Sequence, residues 1–291
     1  MSKIHNPQLL ALHPHTVFRA FKYTIYFLLM INTWLFFQED FLASQEVFSG
    51  PIGFGHLAEA FTATLDTAAW VVLLLLFELE TAVISDDKLK GNLKWVLMVV
   101  RAACYTVSVW AFYGYVTKFM LLSDTIPFAI DNVCSLVGSG FTWVQDLDEY
   151  LHFDQASCQA LQGQALMQIR GTEIIGTVDA LDAARYLTVI DVINAADWLV
   201  IVVMLEVEVY MQLRNLLTDR LIKVAKIVKV VLYTTLLFCA VYWGFLGDFL
   251  DFWDAFLWLV AFIFIEMNIF QWHEEIEEEK ELQHETANSA F

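Results

Sequence analysis

The amino-acid sequence predicts an all-α integral membrane protein with six transmembrane helices. Hydrophobic side chains make up 58% of the 291 residues and charged side chains only 17%, whereas an ordinary soluble domain is about a quarter charged. Six apolar runs approach the roughly 20 residues that a helix needs to cross the hydrocarbon of a bilayer. These runs are continuous rather than alternating, which favours helices over a closed barrel.

Basic residues in two short loops indicate how the predicted spans are oriented. Lys88 and Lys90 join spans two and three, and Arg214 and Arg220 join spans four and five. Loops rich in Lys and Arg usually face the cytoplasm, so we expect both loops and both termini there. The polar start of the chain and this bias fit a bacterial inner membrane, and an organellar membrane stays open. The predicted spans are residues 17–37, 63–84, 93–116, 195–211, 222–246 and 255–272.

The segment between spans three and four predicts a small external cap, over residues 118–191. It holds ten acidic residues and only three basic ones. Residues 128–144 are moderately apolar but interrupted by glycines, which favours a re-entrant or surface-lying helix. Cys134 and Cys158 both fall in this cap, where an oxidising compartment would permit a disulfide bond.

A repeated motif divides the chain into three two-helix hairpins. One spacing, an Asp or Asn followed after three residues by Trp and after seven more by Glu-x-Glu or Glu-x-Asn, occurs in spans two, four and six. Its members are Asp66, Trp70, Glu78 and Glu80; Asn194, Trp198, Glu206 and Glu208; and Asp254, Trp258, Glu266 and Asn268. The odd-numbered spans share a basic residue followed after three residues by Tyr. These pairs are Lys22 and Tyr26, Arg101 and Tyr105, and Lys229 and Tyr233.

The three hairpins run in the same direction and therefore predict parallel repeats around a pseudo-threefold axis along the membrane normal. The hairpins cover residues 17–84, 93–216 and 221–272, and the cap is an insertion in the second. Residues 1–16 form a cytoplasmic N-terminus and residues 273–291 an acidic cytoplasmic tail. We expect Asp66, Asn194 and Asp254 to cap helix starts, and the three tryptophans to anchor helices at the membrane interface.

The repeated glutamates are the candidate functional residues because they lie inside the predicted spans. Glu206 precedes Arg214 by about 12 Å of helix, and the basic residues of the odd spans lie at the same depth. A charge at this depth costs on the order of 3 kcal/mol, so the side chains must pair, change protonation or meet water. Residues i and i+2 of a helix point about 200° apart. The glutamates of each pair therefore point to opposite sides of their helix, so that one can address the basic residue of a neighbouring hairpin while the other faces the interior of the ring. The tyrosines can donate hydroxyls to the carboxylates.

Counting charges leaves two interpretations open. Five repeat glutamates against three repeat cations leave two excess acids. A proton or a monovalent or divalent cation could occupy them, which makes the chain a channel or transporter, with Asn268 breaking the symmetry of the site. Lys22, Arg101 and Lys229 would then balance or gate it. The alternative is a closed belt of ion pairs that only fixes hairpin packing in a non-transporting scaffold or assembly subunit.

Composition and motifs exclude several other classes of function. The formal charge of −18 argues against a nucleic-acid binder. The sequence has no HExxH, phosphate loop or nucleophile elbow, so we predict no enzyme and no cofactor, and leave a metal ion undetermined. The lipid bilayer is the expected partner. The tail, with seven glutamates in residues 273–285, could recruit a protein partner, and a homo-oligomer stays open.

Overall fold

The computed structural model describes residues 14–47, 52–80, 84, 90–146, 149–214, 216, 218–247 and 249–264. The predicted site residues Glu266 and Asn268 lie outside these ranges. So do the acidic tail and the first 13 residues.

Long helices make up most of the described chain. The long ones are α1 (Pro14–Val47), α3 (Thr62–Glu78), α4 (Asn92–Ser123), α6 (Val178–Leu213), α7 (Asp219–Leu246) and α8 (residues 249–264). A 3-10 turn, Phe54–His56, and the short helix α2 (Leu57–Ala60) lead into α3. Several of these helices extend well beyond the predicted spans, most of all α1 at its end and α6 at its start.

Four of these helices are long and apolar enough to cross a membrane. They contain residues 18–45, 92–123, 178–208 and 220–246. A fifth span results if residues 54–60 and 62–78 are counted together, although the chain bends by 84° between them. The prediction of a mostly helical protein with several apolar spans is therefore confirmed.

The cap contains a five-stranded sheet, so the prediction of an all-α protein holds for the bundle but not for the cap. Its strands are β1 (Thr125–Phe128), β2 (Thr142–Asp146), β3 (Glu149–His152), β4 (Leu166–Ile169) and β5 (Ile174–Thr177), in the order β1-β4-β5-β2-β3. The strands have only four or five residues, which gives too little alternation for a sequence signal. Neighbours pair antiparallel except β2 and β5.

The helix expected at residues 128–144 does not form. This stretch holds the end of β1, a short 3-10 turn at Val133–Leu136 and the start of β2, because Gly138 and Gly140 adopt positive φ angles that interrupt a helix. The short helix α5 (Gln155–Leu161) packs beside the 3-10 turn. Cys134 and Cys158 join these two elements as a disulfide with Cα atoms 4.8 Å apart.

The bundle core lies where α3, α6 and α8 meet. Leu74 of α3, Ile201 of α6 and Leu257 of α8 are almost fully buried in one cluster with side chains of α1 and α7. Helix α1 also contacts α8, through Phe18 and Phe264, whose ring centroids are 5.1 Å apart. The first and last described helices of the bundle therefore lie side by side.

Helix α4 approaches α2 and α3 closely at Gly114. A Cβ atom at this position would overlap the carbonyl oxygen of Ala58 and lie 2.7 Å from the hydroxyl of Thr62. We expect Gly114→Ala to lower the free energy of unfolding by about 1–3 kcal/mol, the usual cost of overpacking. Thermal melting in detergent measures the change. Gly53→Ala is the control, because its added Cβ would meet nothing within 4 Å, and equal melting of the two variants would contradict the close approach.

Candidate functional site

Lys22 and Glu78 form a buried ion pair between α1 and α3. Lys22 Nζ lies 2.6 Å from Glu78 Oε1, and the two residues are 6% and 4% exposed. The hydroxyls of Tyr23 and Tyr26 donate to the same carboxylate at 3.1 and 3.4 Å. Glu78 therefore accepts three hydrogen bonds, which offsets the cost of burying its charge. Sequence reasoning identified Tyr26 but missed Tyr23, which stands next to the lysine.

Two further ion pairs join helices that are neighbours in the bundle. Arg101 of α4 pairs with Glu80, which follows the last residue of α3. Lys229 of α7 pairs with Glu208 of α6, with a distance of 2.6 Å between Nζ and Oε2. Glu78 and Glu80 thus address different helices, α1 and α4. The structure brings all three predicted cations to predicted glutamates.

Glu206 differs from the other described glutamates of the motif. It is exposed and accepts a hydrogen bond from the hydroxyl of Tyr105 at 2.6 Å. Within the part of the chain that the structure describes, it forms no ion pair with a basic residue. Tyr233, the matching tyrosine of α7, packs edge-on against Phe262 of α8. We call the seven described charged residues of the repeated motifs the charge belt: Lys22, Glu78, Glu80, Arg101, Glu206, Glu208 and Lys229.

The three repeated tryptophans pack together inside the bundle. The ring centroid of Trp198 lies 6.1 Å from that of Trp70 and 6.1 Å from that of Trp258. All three side chains are at least nine-tenths buried, so their predicted role as interface anchors was wrong. We call Trp70, Trp198 and Trp258 the tryptophan layer. The glutamates of the motif lie eight residues further along, or about 12 Å of helix.

Two aspartates orient the tryptophan layer. Asp66 accepts the indole N–H of Trp70 at 2.7 Å and also bonds to Tyr115. Asp254 accepts from Trp258 and, at 3.1 Å, from the side-chain amide of Asn32. Asp66, Asn194 and Asp254 lie inside α3, α6 and α8, so the prediction that they cap helix starts was wrong. The helices begin earlier than the apolar runs that were used to locate them.

A cavity of about 510 Å³ lies between the tryptophan layer and the cap. All six long helices and strand β3 contribute to its wall. Eight carboxylates line it, and Lys118 is the one basic residue among its described lining residues. We call it the acidic cavity; its acids are Glu39, Asp40, Glu59, Asp66, Glu149, Asp191, Asp251 and Asp254.

The charges of the acidic cavity attract cations. A cleft with low-dielectric walls and one sign of charge concentrates counter-ions. Among the described residues, no three His, Cys, Asp or Glu side chains converge as a metal-binding group, so the carboxylates are distributed over the wall. Sequence reasoning missed this cavity, because its acids come from segments far apart in the chain.

Two buried polar groups near this region lack hydrogen-bond partners among the described residues. Trp243 lines the acidic cavity, is only 5% exposed, and has an unpaired indole Nε1. Asp197 of α6 is 8% exposed, and its Oδ2 is unpaired. A buried polar group left unpaired costs about 1–3 kcal/mol. The motif carries no acid at the position of Asp197, so the repeat did not point to it.

Comparison with known protein families, curated proteins and solved structures finds no match for this chain.

Proposed function

We propose that this chain moves cations or protons across a membrane as a channel or transporter. The observation that carries the proposal is the order of three layers along the bundle. The acidic cavity ends at the tryptophan layer, and the charge belt follows about two helical turns beyond it. Cations collect in the cavity, the tryptophans separate the two polar regions, and Glu206 is the carboxylate that a proton or cation occupies.

Glu206 is the best candidate for that carboxylate because its charge has no basic partner in the described part of the chain. Glu78, Glu80 and Glu208 are each paired with one of the three cations. This leaves Glu206, together with Glu266 outside the described residues, as the excess acids of the motif. An ionisable residue within a membrane-spanning segment usually marks an ion or proton pathway.

The proposed architecture is six spans in three parallel hairpins around a pseudo-threefold axis. In its favour, Arg101 pairs with Glu80 of the preceding hairpin, and Lys229 pairs with Glu208 in the same way. The next position in a closed ring would set Lys22 beside Asn268, which carries no charge, and Lys22 pairs with Glu78 of its own hairpin instead. The bond from Asn32 to Asp254 joins the first hairpin to the third.

The proposed orientation has the cap outside the cell and both termini in the cytoplasm of a bacterium, with the chain in the inner membrane. The basic residues Lys90, Lys94, Arg214 and Arg220 all lie at the end of the bundle away from the cap, as the positive-inside rule requires. An external cap also agrees with its disulfide, since disulfides persist in oxidising compartments.

A scaffold or assembly subunit is the second candidate, and two observations favour it. Three of the four described glutamates of the belt are neutralised by cations between adjacent helices. The tryptophan layer also fills the centre of the bundle with buried aromatic rings. In this alternative the belt locks the helices together and the acidic tail recruits a partner.

Flux into liposomes separates the two candidates. The purified chain would be reconstituted and tested with H⁺, K⁺, Na⁺ and Mg²⁺ in turn, using ion-sensitive dyes trapped inside the vesicles. A transporter or channel gives saturable or gradient-driven entry of at least one of these cations above the rate of protein-free liposomes. A scaffold gives the protein-free rate with every ion, which would refute transport of these ions.

A further inference from the structure

The size and lining of the acidic cavity indicate an organic ligand. Its volume of about 510 Å³ falls within the roughly 300–1,000 Å³ typical of small-molecule sites. The tryptophan layer forms one end, and Tyr115 and Tyr150 contribute to the wall. The faces of aromatic rings attract ammonium groups, and most strongly those of tryptophan. Aromatic faces beside carboxylates are therefore a recognition surface for organic ammonium ions.

The carboxylates of the cavity are separated along its depth. Asp66 and Asp254 bond to the indoles of the tryptophan layer, whereas Glu149 is exposed on β3 of the cap. Glu59 also lines the cavity, from α2, before the 84° bend that leads into α3. A compact divalent ion needs six to eight oxygens that converge on one point. Charges spread along a cavity instead match a chain that carries several cationic groups.

We propose that the acidic cavity binds a linear organic polycation of the polyamine class, with ammonium groups at several levels between the cap and the tryptophan layer. This inference rests on the proposed function, because it names the class of cation that the proposed channel or transporter takes up. The deep ammonium group lies over the tryptophan layer and bonds to Asp66 and Asp254. The outer groups bond to the carboxylates nearer the cap.

Calorimetric titration of the full-length protein in detergent tests this proposal with spermidine, choline and Mg²⁺ as probes. We expect saturable spermidine binding that is at least about tenfold tighter than that of the other two, since only spermidine meets several carboxylates at once. Raising the salt concentration should weaken the binding, because part of the cavity is open to solvent. No binding of spermidine, or equal binding of Mg²⁺, would overturn the proposal.

Three variants locate the binding to the cavity. Asp66→Asn with Asp254→Asn keeps an acceptor for each indole and removes two charges, and we expect a loss of about tenfold or more in spermidine affinity. Glu149→Gln lies on the exposed surface of β3 and cannot disturb the core. We expect it to lower the affinity for spermidine by about threefold. Asp131→Asn is the matched control on the cap surface, outside the cavity, and a loss there equal to that of the double variant would overturn the location.

Binding and transport fail separately in these measurements. Spermidine binding without flux of any cation would leave this inference standing and refute the proposed transport. Flux of a simple cation in a protein that binds no spermidine would refute this inference and leave the proposed transport standing.

Discussion

Glu206→Gln is expected to reduce cation or proton flux in liposomes to the rate of protein-free vesicles. The amide oxygen can still accept the hydrogen bond from Tyr105, so the contact between α4 and α6 is kept. The change removes the charge that no basic residue neutralises in the described part of the chain. A neutral amide neither carries a proton nor attracts a cation at neutral pH.

Two further variants sharpen this prediction. Tyr105→Phe removes the donor but leaves the charge, and we expect a partial loss of flux because Glu206 loses the group that orients it. Glu173→Gln makes the same chemical change on the exposed surface of the cap and should leave flux at the wild-type rate. Wild-type flux in a folded Glu206→Gln protein would show that this carboxylate is not on the path.

Glu78→Gln is expected to lower the free energy of unfolding by about 3–5 kcal/mol, the usual cost of removing one partner of a buried ion pair. Lys22 is only 6% exposed and would keep its charge without a carboxylate to compensate it. The loss is a large share of the roughly 5–15 kcal/mol that stabilises a typical protein. We therefore expect poor yield and a much lower melting temperature in detergent.

The double variant Lys22→Met with Glu78→Met distinguishes the loss of the pair from the burial of one unpaired charge. Replacing both members by apolar side chains of similar volume is often neutral or stabilising. Melting should therefore recover part of the way to the wild type, because the buried hydroxyl of Tyr26 still loses its acceptor. Asp182→Asn is the control. It breaks the partly exposed ion pair of Asp182 and Arg185, which contributes about 0–1 kcal/mol. Melting of Glu78→Gln at the wild-type temperature would contradict a structural role for the buried pair.

The charge belt could be predicted from sequence because it follows from the positions of charged residues along single helices. Charged residues in apolar helices must pair, change protonation or meet water, so the common depth of the repeated cations and glutamates indicated that pairs could form between them. The spacing of two residues also predicted that Glu78 and Glu80 point to opposite sides of their helix. The structure pairs both with cations, of α1 and α4, where one of the two was expected to face the interior of the ring. These inferences need only helix geometry and the cost of a charge away from water.

The acidic cavity could not be predicted in this way. Glu39, Glu149 and Asp251 are more than 100 residues apart in sequence and meet only through the packing of α1, β3 and α8. Apolar runs also locate the hydrocarbon rather than the ends of helices. Asp66 therefore looked like a helix cap, although α3 begins at Thr62 and the 84° bend before it is invisible in the pattern.

The most direct test of the central claim asks whether the acidic cavity and Glu206 belong to one path. Initial rates of cation or proton flux would be measured in one liposome assay for four proteins. They are the wild type, the double variant Asp66→Asn with Asp254→Asn, Glu206→Gln and Asp131→Asn. We predict that the cavity variant and the belt variant both lose flux, while Asp131→Asn keeps the wild-type rate. Wild-type flux in either the cavity variant or the belt variant, with the protein folded, would contradict a path that runs through both.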